Sequence, residues 1–203
     1  MIFNTSQPQG FSLVEVLVAI SILLLVIVGP MTIISRSNNS TAFATEQIVA
    51  FFLAQEGLEL VQKQRDDFLL EHFDDPTGNP NPWSDFITYF NLCNVSSHPN
   101  GCALQIETGV SPNTEVVRHC DTLTNCRLQL NDAGTNPERR RFHYDVGDPN
   151  SLFTRAVKME VLSTNGGLQE VLLTSTVTWR TGTLIRTQQV VASTYLFNVY
   201  EKP

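Results

Sequence analysis

The longest apolar block of the chain lies near its N-terminus. Val16 to Ile34 is a run of 19 residues in which only Ser21 and Thr32 are polar. A helix rises about 1.5 Å per residue, so a run of this length approaches the ~30 Å of hydrocarbon in a bilayer. The run predicts a transmembrane helix, and we place it at residues 11–35.

After a short polar stretch, apolar positions recur at three- and four-residue steps within residues 36–70. These positions, with one glutamine among them, are Ile48, Phe51, Phe52, Gln55, Leu58 and Val61. This spacing puts them on one face of a helix. We predict an amphipathic helix that carries the head of the protein. The pattern leaves open whether the polar stretch breaks the helix or belongs to one long helix that begins near Phe11.

Residues 71–150 lose this periodicity. The segments "DDPTGNPNPW" and "SSHPNG" are dense in proline, glycine and asparagine, which favour turns. We therefore interpret this part as a variable loop region.

The four cysteines, Cys93, Cys102, Cys120 and Cys126, all lie in this region. Their spacing avoids the C-x-x-C pattern of zinc ribbons and redox sites, so it favours two disulfides in an oxidising compartment. Of the three possible connectivities, we prefer Cys93 with Cys102 and Cys120 with Cys126, because short loops close at the least entropic cost. Four reduced thiols are the alternative.

Residues 151–203 show the period of β-strands. "RAVKMEVLS", "QEVLLTSTVTW" and "TLIRTQQVVASTYLF" are rich in β-branched and aromatic residues, and "TNGG" and "RTGT" separate them as turn signals. In the second segment Val171, Leu173, Ser175, Val177 and Trp179 alternate onto one face. We predict an α+β head with at least three antiparallel strands, whose apolar face packs on the amphipathic helix.

Composition and motifs narrow the function. The formal net charge of the 203 residues is -7, which argues against general nucleic-acid binding. Arg139, Arg140 and Arg141 form the only basic run, and we interpret them as a solvated patch rather than a DNA contact. The chain has no P-loop, nucleophile elbow, H-E-x-x-H or Rossmann glycine pattern. We predict a non-catalytic protein without a cofactor.

Two groups of residues are weak candidates for metal ligands. Oxygen ligands for calcium could come from Asp74, Asp75, Asn79, Asn81 and Asp85, but their spacing matches no EF-hand, and a solvated acidic turn is the favoured interpretation. His98 and His119 lie near cysteines without the spacing of a zinc motif. We predict no metal site.

An acidic residue stands at the entrance to the apolar run. Glu15 follows Gly10 by five residues in "GFSLVE", and a lone carboxylate inside a membrane costs about 2.5 to 3.5 kcal/mol at a helix centre. A cleaved secretion signal would fit Ala42-Phe43-Ala44, but the apolar run is too long and no Lys or Arg precedes it. A plain anchor leaves Glu15 unexplained, unless its carboxylate reaches interfacial water at the positive end of the helix.

The segment "GFSLVE" after a short polar leader resembles the prepilin N-terminal motif of type IV pilins and type II secretion pseudopilins. The resemblance implies that a prepilin peptidase removes the leader, residues 1–10, by cutting after Gly10. Phe11 then becomes the N-methylated first residue. In a filament, the Glu15 carboxylate of one subunit would meet the terminal amine of its neighbour. Gly29 and Pro30 would kink or locally melt the helix.

The same resemblance implies the partners and the location. The partners are the prepilin peptidase, other pilin or pseudopilin subunits, an inner-membrane assembly platform and the lipid bilayer. The protein would cross the cytoplasmic membrane once, with its head outside the cytoplasm, and would enter a cell-surface or periplasmic filament. Family leaders usually carry Lys or Arg, whereas this leader has neither, so orientation follows from the resemblance and not from charge bias.

Two functional hypotheses follow. The first is a minor pilin or minor pseudopilin, a structural subunit of a type IV pilus or a type II secretion-like filament. The second is a membrane-tethered or secreted extracellular domain that binds DNA or a surface ligand and does not assemble.

Overall fold

The structure is a computed structural model that describes residues 10, 12–74, 81–106, 115–130, 142–144, 147, 149–163, 169–181 and 186–198. The chain divides into two compact units, Met1–Thr45 and Glu46–Pro203. The first unit contains the N-terminal part of a long helix. The second contains the rest of that helix and an antiparallel sheet, so the predicted α+β class is confirmed.

The long helix, α1, spans Leu13–Asp74 without interruption. It includes the polar stretch at 35–41, which settles the question of a break in favour of one continuous helix. Hydroxyl groups in and after this stretch donate to carbonyl groups of the same helix, as Thr41 does to Ser37 at 3.0 Å and Thr45 to Thr41 at 3.0 Å. Because these hydroxyls bond one turn back along the helix, they do not cap a helix end there.

The face that α1 buries in the head differs from the predicted one. Leu58 and Val61 are buried as expected, but Ile48, Phe51 and Phe52 are 58%, 47% and 63% exposed. The residues buried on this part of α1 are Ala50, Leu53, Ala54, Leu58, Leu60, Val61 and Leu69. The prediction was wrong because apolar residues occupy two faces of the helix, and the face with Ile48, Phe51 and Phe52 is not the one that the head buries.

Gly57 marks a close contact between α1 and the sheet. A Cβ atom at this position would lie 2.7 Å from Ser175 Oγ and 3.1 Å from Val157 Cγ2. The helix and sheet therefore approach too closely here for ordinary side chains. Glycine is unfavourable in the interior of a helix, but because it has no side chain it permits this contact.

The region predicted as loop, 71–150, contains regular structure in its described parts. Its elements are helix α2 (Pro82–Tyr89), two 3₁₀ helices (Asn91–Cys93 and Leu123–Cys126) and strands β1 (Cys102–Ile106), β2 (Glu115–His119), β3 (Arg127–Leu130) and β4 (Phe142–His143). The prediction was wrong for these spans because each element is short and its pattern is hidden among turn residues.

Helix α2 begins with local signals that the sequence contains. The Asn81 side chain accepts a hydrogen bond from the Ser84 backbone N–H at 3.1 Å, and Pro82 occupies the first helical turn. Asparagine at the N-cap followed by proline is a favoured helix start. Trp83 and Phe86 are buried, so this helix supplies aromatic side chains to the core.

The last three strands are β5 (Asn150–Ser163), β6 (Gln169–Trp179) and β7 (Gln188–Phe197). In the described chain the sheet has seven strands, and all its ladders are antiparallel. β6 lies between β5 and β7, while the other side of β5 pairs with β3 and β1. Two bounds differ from the prediction, since β5 begins earlier, at Asn150, and β7 begins later, at Gln188.

The predicted alternation along β6 is confirmed. Val171, Leu173, Ser175, Val177 and Trp179 are each no more than 3% exposed. Val171 and Leu173 belong to one hydrophobic core with residues of α1, α2 and β5, including Val61, Phe86 and Met159. The apolar face of the sheet is thus covered by helices, which gives the head its two-layer organisation.

A charged side chain is buried in the head. The side chain of Arg155, on β5, is 2% exposed, and its Nη1 donates to Glu56 Oε2 at 2.6 Å and to the Leu53 carbonyl at 3.3 Å. Its Nη2 donates to the Leu104 carbonyl at 2.6 Å. The guanidinium therefore joins α1 to β5 and β1.

Tyr144 completes the network around Arg155. Arg155 Nε donates to the Tyr144 hydroxyl at 3.2 Å, and that hydroxyl donates to the Arg155 carbonyl at 3.0 Å. Burial raises the pKa of Tyr144, although the positive charge of Arg155 opposes the rise. Burial alone would lower the pKa of Arg155, but its interactions with Tyr144 and Glu56 outweigh that effect and raise it.

Gly101 should be essential for the turn before β1. Its φ is +78°, and a Cβ would lie 2.4 Å from the Val157 carbonyl oxygen. We expect Gly101→Ala to lower the free energy of unfolding by about 2 to 4 kcal/mol, from left-handed backbone strain plus steric overlap. Urea unfolding of the full chain in detergent measures the loss. Gly147→Ala is the control, because Gly147 has a φ of +134° but open space around its Cβ position. Equal losses in the two variants would contradict the role of overlap.

Tyr144 should make the head sensitive to alkali. Folding raises the pKa of Tyr144 above its unfolded value of about 10. The contribution of the neutral phenol to the free energy of unfolding is therefore fully present below about pH 10, and it is lost as the pH rises through the folded pKa. Near neutral pH, Tyr144→Phe should lower the free energy of unfolding of the head by about 1 to 2 kcal/mol, because the hydrogen bonds of the hydroxyl are lost. We expect this difference from the wild type to shrink in urea unfolding experiments above about pH 10. A difference that stays constant into strong alkali would contradict the buried neutral phenol.

Candidate processing and assembly site

The predicted cleavage position lies just outside the start of α1. Gly10 is exposed, and a Cβ there would meet nothing within 4 Å. The Val16 backbone N–H donates to the Ser12 carbonyl at 3.2 Å, so the helical hydrogen bonds begin at Ser12. Phe11 lies outside the described residues. Gly10 is therefore exposed and not helical, as expected for the residue before the predicted cleavage.

Glu15 occupies the first turn of α1. The positive end of the helix dipole favours a carboxylate at this position. Ser12 and Glu15 also have the S-x-x-E spacing of a capping box, in which the acidic side chain lies close to the free backbone N–H groups of the helix start. This signal is present in the sequence just before the apolar run, but the helix start was not predicted from it.

The apolar part of α1 exposes nearly all of its side chains. The large apolar residues from Leu13 to Ile34 are between 46% and 77% exposed. Among the described residues, α1 is the one helix long and apolar enough to cross a membrane. The described residues leave these side chains uncovered, so the segment needs an apolar environment such as a bilayer.

The polar side chains of this segment are satisfied within the helix. Ser21 donates to the Leu17 carbonyl at 2.8 Å, Thr32 to the Gly29 carbonyl at 2.7 Å and Ser35 to the Met31 carbonyl at 3.0 Å. A hydroxyl that bonds a carbonyl of its own helix needs no water. The segment can therefore enter hydrocarbon with Glu15 as its one ionisable group.

The structure changes one expectation at Gly29 and Pro30. Helix α1 continues through both residues, so the predicted local melting is not observed. Proline has no N–H, which deprives the Val26 carbonyl of its usual helical donor, yet the neighbouring turns remain helical. A bend at Pro30 stays a prediction.

The cysteines lie in two local pairs. Cys93 is bonded to Cys102 with 4.6 Å between their Cα atoms, and Cys120 is bonded to Cys126 with 5.6 Å between theirs. These are the two pairs that we predicted from the sequence because they close the shortest loops. The first links the 3₁₀ helix after α2 to β1, and the second joins the end of β2 to the start of β3. Together they fix several short elements of the head.

The structure gives other roles to two of the candidate calcium ligands. Asn81 caps α2 through its side-chain oxygen, and Asp85 lies in the first turn of the same helix. Asp75, Asn79 and the three arginines at 139–141 lie outside the described residues, as does the side chain of Asp74. In the described part of the chain, no three His, Cys, Asp or Glu side chains are grouped to hold a metal ion.

His98 and His119 are brought together, although the sequence spacing gave no reason to expect it. Their ring centroids are 4.2 Å apart. The pairing of β1 with β2 produces this contact, because it places Cys102 opposite His119. A sequence motif could not reveal it, since the two residues meet through sheet pairing and not through spacing along one segment.

Comparison with protein families finds one match. Residues 6–29 match the family described as the prokaryotic N-terminal methylation motif, which includes Gly10, Phe11 and Glu15. No curated protein and no solved structure matches the chain significantly. The N-terminal segment thus carries the signature of type IV pilin-like proteins, and the sequence resemblance at this segment is confirmed.

Proposed function

We propose that this chain is a minor pilin or minor pseudopilin, a non-catalytic subunit of a type IV pilus or type II secretion-like filament. The methylation motif at residues 6–29 is the observation that carries the proposal. A prepilin peptidase cuts after Gly10 and the new terminus at Phe11 is methylated. The mature protein is held in the cytoplasmic membrane by α1, with its head outside the cytoplasm, until an assembly platform adds it to the filament.

The environment of α1 supports this proposal. The apolar side chains of residues 13–34 are exposed within the chain, as expected of a helix that moves from lipid into contact with other subunits. Removal of the leader creates an amine on Phe11, and Glu15 follows it by four residues. Each charge is costly in an apolar environment, so pairing between neighbouring subunits favours one register of assembly.

Ordinary secretion is a poorer explanation of the structure. Its best cleavage pattern, Ala42-Phe43-Ala44, lies inside the uninterrupted helix α1. A peptidase needs an extended backbone at the bond it cuts. Gly10, in contrast, lies outside the helix.

The first test maps the mature N-terminus. We expect the chain, expressed with an active prepilin peptidase and its methylating activity, to begin at N-methylated Phe11 when intact-mass and N-terminal sequencing data are combined. Gly10→Val is the matched variant, since a branched side chain replaces the residue before the bond, and it should retain the leader. A wild-type chain that begins at Met1 or Thr45 under these conditions would contradict the processing step.

The second test concerns Glu15. We expect Glu15→Ala to insert into membranes normally but to enter filaments at least about tenfold less, because it leaves the amine of the neighbouring subunit unpaired in the filament core. Membrane fractionation and quantitative immunoblotting of sheared filaments measure the two steps. Glu59→Ala removes an exposed acid from the same helix and should assemble normally. Equal incorporation of the Glu15 variant and the wild type would remove the assigned role and favour a tethered binding domain.

A further inference from the structure

The contact between His98 and His119 has the features of a ligand pair. His119 is the last residue of β2, and His98 lies in the turn that follows the 3₁₀ helix Asn91–Cys93. Their rings are 4.2 Å apart at the centroids and inclined by 66°. Two imidazoles at this separation can approach one small cation if their free nitrogens are unprotonated.

Hydrogen bonds determine which nitrogen of each ring carries the proton. His98 Nδ1 lies 3.1 Å from the Asn91 carbonyl oxygen, and His119 Nδ1 lies 2.6 Å from Asp121 Oδ1. A carbonyl and a carboxylate can only accept hydrogen bonds, so both Nδ1 atoms act as donors. In the neutral ring the lone pair is then on Nε2.

Neither Nε2 atom has a hydrogen-bond partner among the described residues. A histidine whose Nδ1 donates to a carbonyl or carboxylate and whose Nε2 is available is the arrangement found at metal-bound histidines. Asp121 holds the ring of His119, and the Asn91 carbonyl holds the ring of His98. These two groups orient the rings, and they would contact the ligating imidazoles but not the metal itself.

The backbone around the two rings is fixed before any ligand binds. The His98 N–H donates to the Asn94 carbonyl at 2.7 Å, the Gly101 N–H to the His98 carbonyl at 2.9 Å and the Cys120 N–H to the Gly101 carbonyl at 3.2 Å. Asn100 Nδ2 also donates to the Asp121 carbonyl at 3.0 Å. The disulfides Cys93–Cys102 and Cys120–Cys126 flank the pair. Such a framework lowers the ordering cost of binding.

The site is accessible from solvent. The side chain of His119 is 30% exposed and that of Asp121 is 75% exposed, and His98 is half-buried. The formal net charge of the chain is -7, which favours the approach of a cation. The rings can therefore meet a metal ion without opening the head.

We propose that His98 and His119 bind one Zn²⁺ ion through their Nε2 atoms, with water in the remaining positions. Imidazole nitrogen suits Zn²⁺ and Cu²⁺, whereas Ca²⁺ and Mg²⁺ require oxygen ligands. No third His, Cys, Asp or Glu of the described chain joins the pair, so the site keeps open positions. This site lies in the head and is independent of the N-terminal assembly function.

The test is zinc titration of the full chain in detergent, without a polyhistidine tag and under non-reducing conditions that keep the cysteines paired. Isothermal titration with zinc chloride should show one bound ion per chain. We expect His98→Gln and His119→Gln each to weaken binding at least about tenfold, because each removes one of two protein ligands. His72→Gln, which removes an imidazole from α1, should bind zinc as the wild type does.

Asp121→Asn separates positioning from ligation. This variant keeps both imidazoles but loses the charged acceptor of His119 Nδ1–H, so zinc binding should weaken several-fold and not disappear. Circular dichroism and unfolding curves verify that each variant folds.

Electron paramagnetic resonance of the Cu²⁺-loaded chain gives a second measurement. It should show two coordinated imidazole nitrogens in the wild type and one in each histidine variant. The proposal is overturned if the wild type binds no zinc, if folded His98→Gln and His119→Gln variants bind as the wild type does, or if the spectrum shows a single imidazole.

Discussion

The head depends on a buried guanidinium that has to be neutralised and fully hydrogen-bonded. Arg155 is 2% exposed at its side chain, and a charge so placed is tolerated only when its partners replace water. Its partners come from three parts of the chain: Leu53 and Glu56 on α1, Leu104 on β1, and Tyr144 after β4. No two of these segments are adjacent in sequence. The guanidinium therefore specifies how α1 and the strands meet, since any other packing leaves it unpaired.

The same constraint explains the small residues of α1. The guanidinium reaches the Leu53 carbonyl only if the helix lies close to the sheet, and Gly57 permits that approach against Ser175 and Val157. Ala50 and Ala54, on the same part of α1, are also fully buried. Replacing these residues with larger apolar ones would bury more surface but would separate Arg155 from its acceptors. The close packing of α1 on the sheet and the hydrogen bond from Arg155 to Leu53 thus both require a small residue at position 57.

Patterns confined to one segment could be predicted from the sequence, whereas contacts between segments could not. The run from Val16 to Ile34, the alternation of Val171 to Trp179 and the methylation motif are local, and each was recognised. The burial of Arg155 could not be predicted, because nothing near Arg155 in the sequence shows that its partners come from β1 and α1. The contact of His98 with His119 depends on β1–β2 pairing in the same way. Helix α2 was missed although Asn81 and Pro82 signal its start, because the surrounding prolines and glycines outweighed them.

The incorrectly predicted face of α1 bears on function. Within the head α1 buries the face that contains Leu53 and Val61 and leaves Ile48, Phe51 and Phe52 exposed. Large apolar side chains that a folded head does not use cost solubility unless another surface covers them. They lie on the same continuous helix as the exposed apolar side chains of residues 13–34. A helix that offers apolar side chains both before and within the head is suited to packing against the helices of neighbouring subunits, as the proposed filament requires. The fold of a single chain accounts for one face of α1, and the proposed assembly would account for the other.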